Sequence, residues 1–184
     1  MREVAVTAVG SDRPGIVAAI TEALRDLGGN LADCRAALLA GSFAIVVVAA
    51  LPDGVSDDDL RAALAEGSAG LGLGVWVGPA AVRAPSHPNG GPNGGADGGR
   101  CIVSVYGADH PGIVAAVSRS VADLDVNIVD LSSRVVGDPA IYVLGLEVEL
   151  PAGMTAADLE ARLQPVAQAQ GVELAVEAEA DEVM

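Results

Sequence analysis

The pattern Gly-x-Asp-x-Pro-Gly occurs twice in this chain, as Gly10-Ser11-Asp12-Arg13-Pro14-Gly15 and as Gly107-Ala108-Asp109-His110-Pro111-Gly112. Each time an Ile-Val-Ala-Ala run follows, from Ile16 and from Ile113. Proline and glycine directly ahead of such a run mark a loop entering a helix. The N–H groups at a helix start have no partner inside the helix and lie at the positive end of its dipole, so they attract a carboxylate. Glycine there lets a ligand come close to the backbone. Asp12 and Asp109 can accept hydrogen bonds from an ammonium group, and the side-chain amides of Asn30 and Asn127 both donate and accept. Asp12, Pro14, Gly15, Ile16 and Asn30, with Asp109, Pro111, Gly112, Ile113 and Asn127, are therefore candidate binding residues for a small zwitterion. Architectural readings stand beside this one: Asp12 as a helix cap, Gly15 as a tight packing position, Asn30 as a strand start after a glycine turn.

Other chemistry finds less support. The chain has two histidines, His87 in a Pro/Gly/Asn stretch and His110 at a loop position that the other copy fills with Arg13, and neither stands beside a nucleophile. No catalytic residue is assigned. Arg13 with Asn30 would suit a phosphatase-like site, but the second copy does not repeat the pair. Cys34 and Cys101 lack CxxC spacing and a histidine cluster, which argues against a metal site or a disulfide framework, and no cofactor is expected.

Twenty-five acidic residues against ten basic ones give a formal charge of −15, which repels phosphate backbones and excludes direct nucleic-acid binding from the expectations. Asp57-Asp58-Asp59 and Glu177 to Glu182 read as solvated helix faces or tails. The longest apolar stretch, Phe43 to Leu51, is far short of the roughly 20 residues of a spanning helix, so no membrane segment is expected. The start of the chain lacks the pattern of an export signal, which reads as cytoplasmic.

The elements that would carry these loops come from the repeat. The offset between copies is 97 positions from Asp12 and Asp109 through Asn30 and Asn127, then grows by two before Pro52 and Pro151, as a longer hairpin loop in the second copy would produce. Val4, Val6 and Ala8 alternate with other residues, as do Ile102 to Tyr106, which predicts strands. After the loops, Val17, Ile20, Leu24 and Leu27, and Val114, Val117, Val121 and Leu124, fall at helical spacing, with each proline in the first turn. Hairpins are predicted around Ala40-Gly41 and around Gly137-Asp138-Pro139. Second helices follow, capped by Ser56 and Thr155, with Leu60, Leu64, Leu159 and Leu163 facing inward. Leu73 to Val77 and Val172 to Val176 close the copies as strands.

The fold class is thus α+β: two ferredoxin-like βαββαβ modules, each an antiparallel sheet with two helices on one face. The expected divisions are 1–82 for the first module, 83–100 for a flexible linker and 101–184 for the second. The open sheet faces favour pairing of modules or of chains, hence a possible homodimer.

Through Gly10 to Val17 with Asn30-Leu31-Ala32-Asp33-Cys34-Arg35, and Gly107 to Val114 with Asn127-Ile128-Val129-Asp130, the chain resembles the ACT-domain family of amino-acid-sensing modules. Its tandem arrangement is most similar to the group of the glycine-cleavage-system transcriptional repressor. The resemblance implies a small amino acid, of the glycine or serine class, held between two modules. It also implies that the loop acid and the strand-entry Asn contact the ligand from opposite modules, and that the chain acts on a partner regulatory protein. Relatives that bind ligands often carry a polar residue where Gly10 and Gly107 stand, and an amide in place of the loop acid. The alternative function is a ligand-free ACT interaction module that regulates a metabolic enzyme by docking.

Overall fold

The computed structural model describes residues 1–80 and 99–179. The chain divides into two compact units, Met1–Pro85 and Ser86–Met184. The first runs β1 (Arg2–Ser11), α1 (Ile16–Asp26), β2 (Asn30–Leu39), β3 (Ser42–Leu51), α2 (Asp57–Gly67) and β4 (Gly74–Pro79). The second runs β5 (Arg100–Gly107), α3 (Ile113–Ala122), β6 (Asn127–Val136), β7 (Ile141–Glu149), α4 (Ala156–Gln170) and β8 (Val172–Ala178). Each unit is a four-stranded antiparallel sheet, in the orders β2-β3-β1-β4 and β6-β7-β5-β8. The α+β, ferredoxin-like βαββαβ architecture is the one the sequence predicts.

Strand alternation explains why each unit has a one-sided core. Val4, Val6 and Ala8 of β1 are buried together with Ile45, Val47 and Ala49 of β3, while Ala5, Thr7 and Val9 point to the other face. Leu60 and Leu64 of α2 close over this layer, as Leu159 and Leu163 of α4 do over Val103, Val105, Leu144 and Leu146. Truncating one of these leucines to alanine costs about 2–5 kcal/mol.

The hairpins differ in length, as the change of offset requires. Leu39 pairs with Ser42 around Ala40 and Gly41, both left-handed, which makes a two-residue turn whose twist matches the strands. Val136 pairs with Ile141 around four residues, so the second copy carries two more. A bulge follows each strand-entry Asn, between Leu31 and Asp33 and between Ile128 and Asp130.

Several expectations are corrected. The first helix begins at Ile16, so Pro14 lies ahead of it rather than in its first turn, because Gly15 bends the chain through a left-handed conformation. Rotating the start in this way buries Ile16, Ile20, Ala23 and Leu24 and leaves Val17 47% exposed. In α3, Ile113 rather than Val114 leads the buried face, with Val117 and Val121. Glu177 lies in β8 instead of a tail and 180–182 lie outside the described residues, whereas Asp57-Asp58-Asp59 stand on a helix as expected, in the first turn of α2. Of the segment expected as a linker, 83–98 and with it His87 lie outside the described residues; Arg100 already opens β5, opposite Glu149.

Candidate functional site

The two kinds of helix start in this protein differ in how their free N–H groups are met. Ser56 Oγ accepts from the Asp59 N–H at 3.1 Å while Asp59 Oδ2 accepts from the Ser56 N–H at 3.0 Å. Thr155 and Asp158 make the same reciprocal pair at 3.1 and 3.0 Å. These are capping boxes, with Asp in the place more often taken by Glu. The hydroxyl and backbone of Ser56, and of Thr155, hold the Asp59 and Asp158 carboxyls below their ordinary range.

α1 and α3 have nothing of the kind. Their cap residues are Gly15, at φ 97°, and Gly112, at φ 107°, with no side-chain cap and no acidic residue in the first turn. Asp12 is therefore not a cap. Nor is Gly15 a tight packing position: a Cβ there would meet nothing within 4 Å, and one at Gly112 only Gln170 Oε1 at 3.8 Å. The left-handed backbone is what requires glycine, and the space above it is open.

The loop residues come together and the Asn residues do not join them. The Asp12 N–H donates to the Gly41 carbonyl at 2.9 Å, which ties the first loop to the β2–β3 turn. The carboxylates of Asp12 and Asp109 are exposed and hydrogen-bond no partner among the described residues. Pro14 and Pro111 are likewise exposed, whereas Ile16 and Ile113 are each 2% exposed. The isoleucine side chains belong to the core, so these residues can offer a ligand only their backbone. Asn30 pairs with Ala50, which pairs with Glu3, whereas Asp12 follows Ser11 at the far end of the same strand. The run of β1 from Glu3 to Ser11 separates them by roughly 27 Å at about 3.4 Å per residue. Asn127 is set apart from Asp109 in the same way, opposite Glu149.

Residues outside the candidate binding set also shape the loops. Arg13 Nη1 donates to the Gly70 carbonyl at 3.3 Å, and at the matching position His110 Nε2 lies 2.7 Å from the Gln170 carbonyl. Gly10 and Gly107 have a packing cause: a Cβ would meet Leu73 Cδ2 at 2.8 Å or Val172 Cγ1 at 2.7 Å. The residue entering the last strand fills the room a polar side chain would need. A cavity of about 450 Å³ in the first unit, lined by Arg61, Ser68, Gly70, Leu73 and Val75 among others, includes none of the candidates. Among the described residues no group of His, Cys, Asp and Glu is placed to hold a metal ion, and no helix is long and apolar enough to cross a membrane.

Comparison with known proteins covers both units. A family model described as the ACT domain matches residues 2–77 and again 100–177. A UPF0237 protein of Corynebacterium efficiens is 37% identical over 79 residues, 43% of this chain and 88% of that protein. A phosphoserine phosphatase of Mycobacterium tuberculosis is 30% identical over 183 residues, 95% of this chain but 40% of the phosphatase. Among solved structures, an unknown protein from Galdieria sulphuraria is 26% identical with a TM-score of 0.80, covering 97% of this chain and 99% of that one. A putative glycine cleavage system transcriptional repressor superposes with a TM-score of 0.64 at 16% identity, 97% of each chain being covered; at that identity the likeness is one of fold.

Proposed function

The chain belongs to the ACT-domain family, and from that membership we propose that it is a non-catalytic regulatory protein whose Gly-x-Asp-x-Pro-Gly loops each bind a small amino acid of the glycine or serine class. The carboxylate lies against the N–H groups that open α1 and α3, and the ammonium is met by Asp12 or Asp109. We assign Asn30 and Asn127 to the binding of the ligand as well, although neither reaches the loop of its own module. Pro14 and Pro111 shape the loops, and Ile16 and Ile113 contribute backbone N–H groups.

The observation that carries this reading is the contrast between helix starts. α2 and α4 meet the Asp59 and Asp158 N–H groups with a cap side chain, while α1 and α3, behind left-handed glycines with open space above them, have no cap side chain to meet theirs. The charge of −15 supports action on a protein partner rather than direct contact with nucleic acid. We place that action in the cytoplasm, with transcriptional control of glycine metabolism as its setting and a homodimer as a form of the protein. The phosphatase relative extends well beyond the matched region, so its named activity is not carried over to this chain.

A thermal-shift screen of the purified chain against all standard amino acids tests the proposal, because a ligand that binds only the folded state raises stability as its concentration exceeds Kd. Stabilisation by glycine, serine or a close analogue is expected. A flat response to all of them would favour a module that works by docking alone.

A further inference from the structure

Arg13 and His110 occupy the same place in the two copies, between the loop acid and the proline; Arg13 reaches the turn that follows α2 and His110 reaches the last residue of α4. Arg13 donates to the Gly70 carbonyl at 3.3 Å. His110 does more: Nε2 lies 2.7 Å from the Gln170 carbonyl and Nδ1 lies 3.2 Å from the Pro111 carbonyl. Carbonyl oxygens only accept. A neutral imidazole has one N–H and turns a lone pair toward the second oxygen, whereas the imidazolium donates to both. The groups facing the ring agree. Gln170 from α4 and Pro111 from the loop present carbonyls, and these, in that order, hold the charged form above the ordinary histidine range; loss of solvent opposes them and Asp109, the neighbouring charge, adds to them. Arginine, by contrast, stays charged throughout the range in which proteins are folded.

We infer that His110 is a titratable positioning residue: protonated, it pins the second loop to the end of α4 and holds the Gly112 end of α3 ready for a carboxylate, and deprotonated it lets the loop go. Amino-acid binding at the second loop weakens as pH rises, while the first loop, pinned by Arg13, keeps its affinity. The inference rests on the amino-acid reading of the loops, and it makes the two copies unequal sensors within one chain.

Amide NMR of the full chain, titrated with glycine and with L-serine from pH 6 to 8.5, reads the Gly15 and Gly112 signals separately. The Kd read at Gly112 is expected to rise at least about threefold across that range as the competent loop population falls, with a change of less than about twofold at Gly15. His110→Arg flattens the Gly112 profile at its low-pH value, and Arg13→His confers such a profile on Gly15. A pH-independent Kd at Gly112 in the wild type, or a profile that survives His110→Arg, overturns the inference. If neither amino acid perturbs either loop, it is the amino-acid reading that fails. Ligand-free spectra then judge the clamp alone: Gly112 and Ile113 amide shifts that follow the His110 ring titration uphold it, and shifts that ignore that titration overturn it as well.

Discussion

Asn127 Nδ2 lies 3.5 Å from Glu149 Oε2 across the β6–β7 pairing, whereas the matching Asn30 faces Ala50. Asn127 therefore has a carboxylate directly opposite it, where Asn30 has an alanine. At 3.5 Å the hydrogen bond is at its limit, so the consequence is chiefly electrostatic. Arg100 offsets part of that charge from 3.3 Å. Glu149→Ala is expected to tighten amino-acid binding at the site that Asn127 serves by about two- to fivefold, as read by calorimetry, because the carboxylate of the zwitterion then meets one fewer negative charge. An unchanged affinity would place Asn127 outside the pocket.

The two classes of helix start make opposite predictions for stability. Ser56→Ala and Thr155→Ala each remove a cap and are expected to lower unfolding free energy by about 1 kcal/mol in urea titrations. Asp12→Ala and Asp109→Ala remove no cap, and changes within about 0.5 kcal/mol are expected. Gly15→Ala is expected to cost about 1–2 kcal/mol, because alanine resists the left-handed conformation. A loss at Asp12 as large as that at Ser56 would return it to a capping role.

Acid stability follows from the same boxes. Asp59 and Asp158 have carboxyls held below the ordinary value of 3.8, through the hydroxyl and backbone of Ser56 and Thr155. A carboxyl depressed by folding contributes stability that is fully present above its unfolded value and is lost as pH falls through the folded one. Unfolding followed by circular dichroism is expected to show this contribution fading from about pH 4 downward. In Asp59→Asn and Asp158→Asn the dependence flattens over that interval; an unaltered slope would deny the boxes any part in acid stability.

The fold was legible because several signals agreed. The alternation of Val4, Val6 and Ala8, the helical spacing of Ile20 and Leu24, the caps at Ser56 and Thr155 and the turn at Ala40-Gly41 all describe one module. The repeat then supplied that module twice. The site was legible only as a set of residue types. Nothing in the spacing tells that Gly15 turns left-handed, which shifts the helix start, sends the Ile16 side chain into the core and exposes Val17. Nor does proximity in sequence place Asn30 at the far end of β1 from Asp12, since that follows from the register of three paired strands. The closeness of Leu73 to Gly10 is likewise a long-range contact. Glycine at matching loop positions was the one local hint of it.

On the proposal made above, the two loops bind an amino acid with the help of Asp12, Asp109, Asn30 and Asn127. Isothermal titration calorimetry of the wild type, Asp12→Ala and Asn30→Ala with glycine and L-serine, alongside their melting temperatures, tests it most directly. Hydrogen bonds to a charged group contribute about 1.5–3 kcal/mol, so each substitution is expected to weaken binding at its site roughly ten- to a hundredfold while the melting temperature stays near that of the wild type. Binding that survives both substitutions unchanged, or no binding of either amino acid by the wild type, would contradict the account.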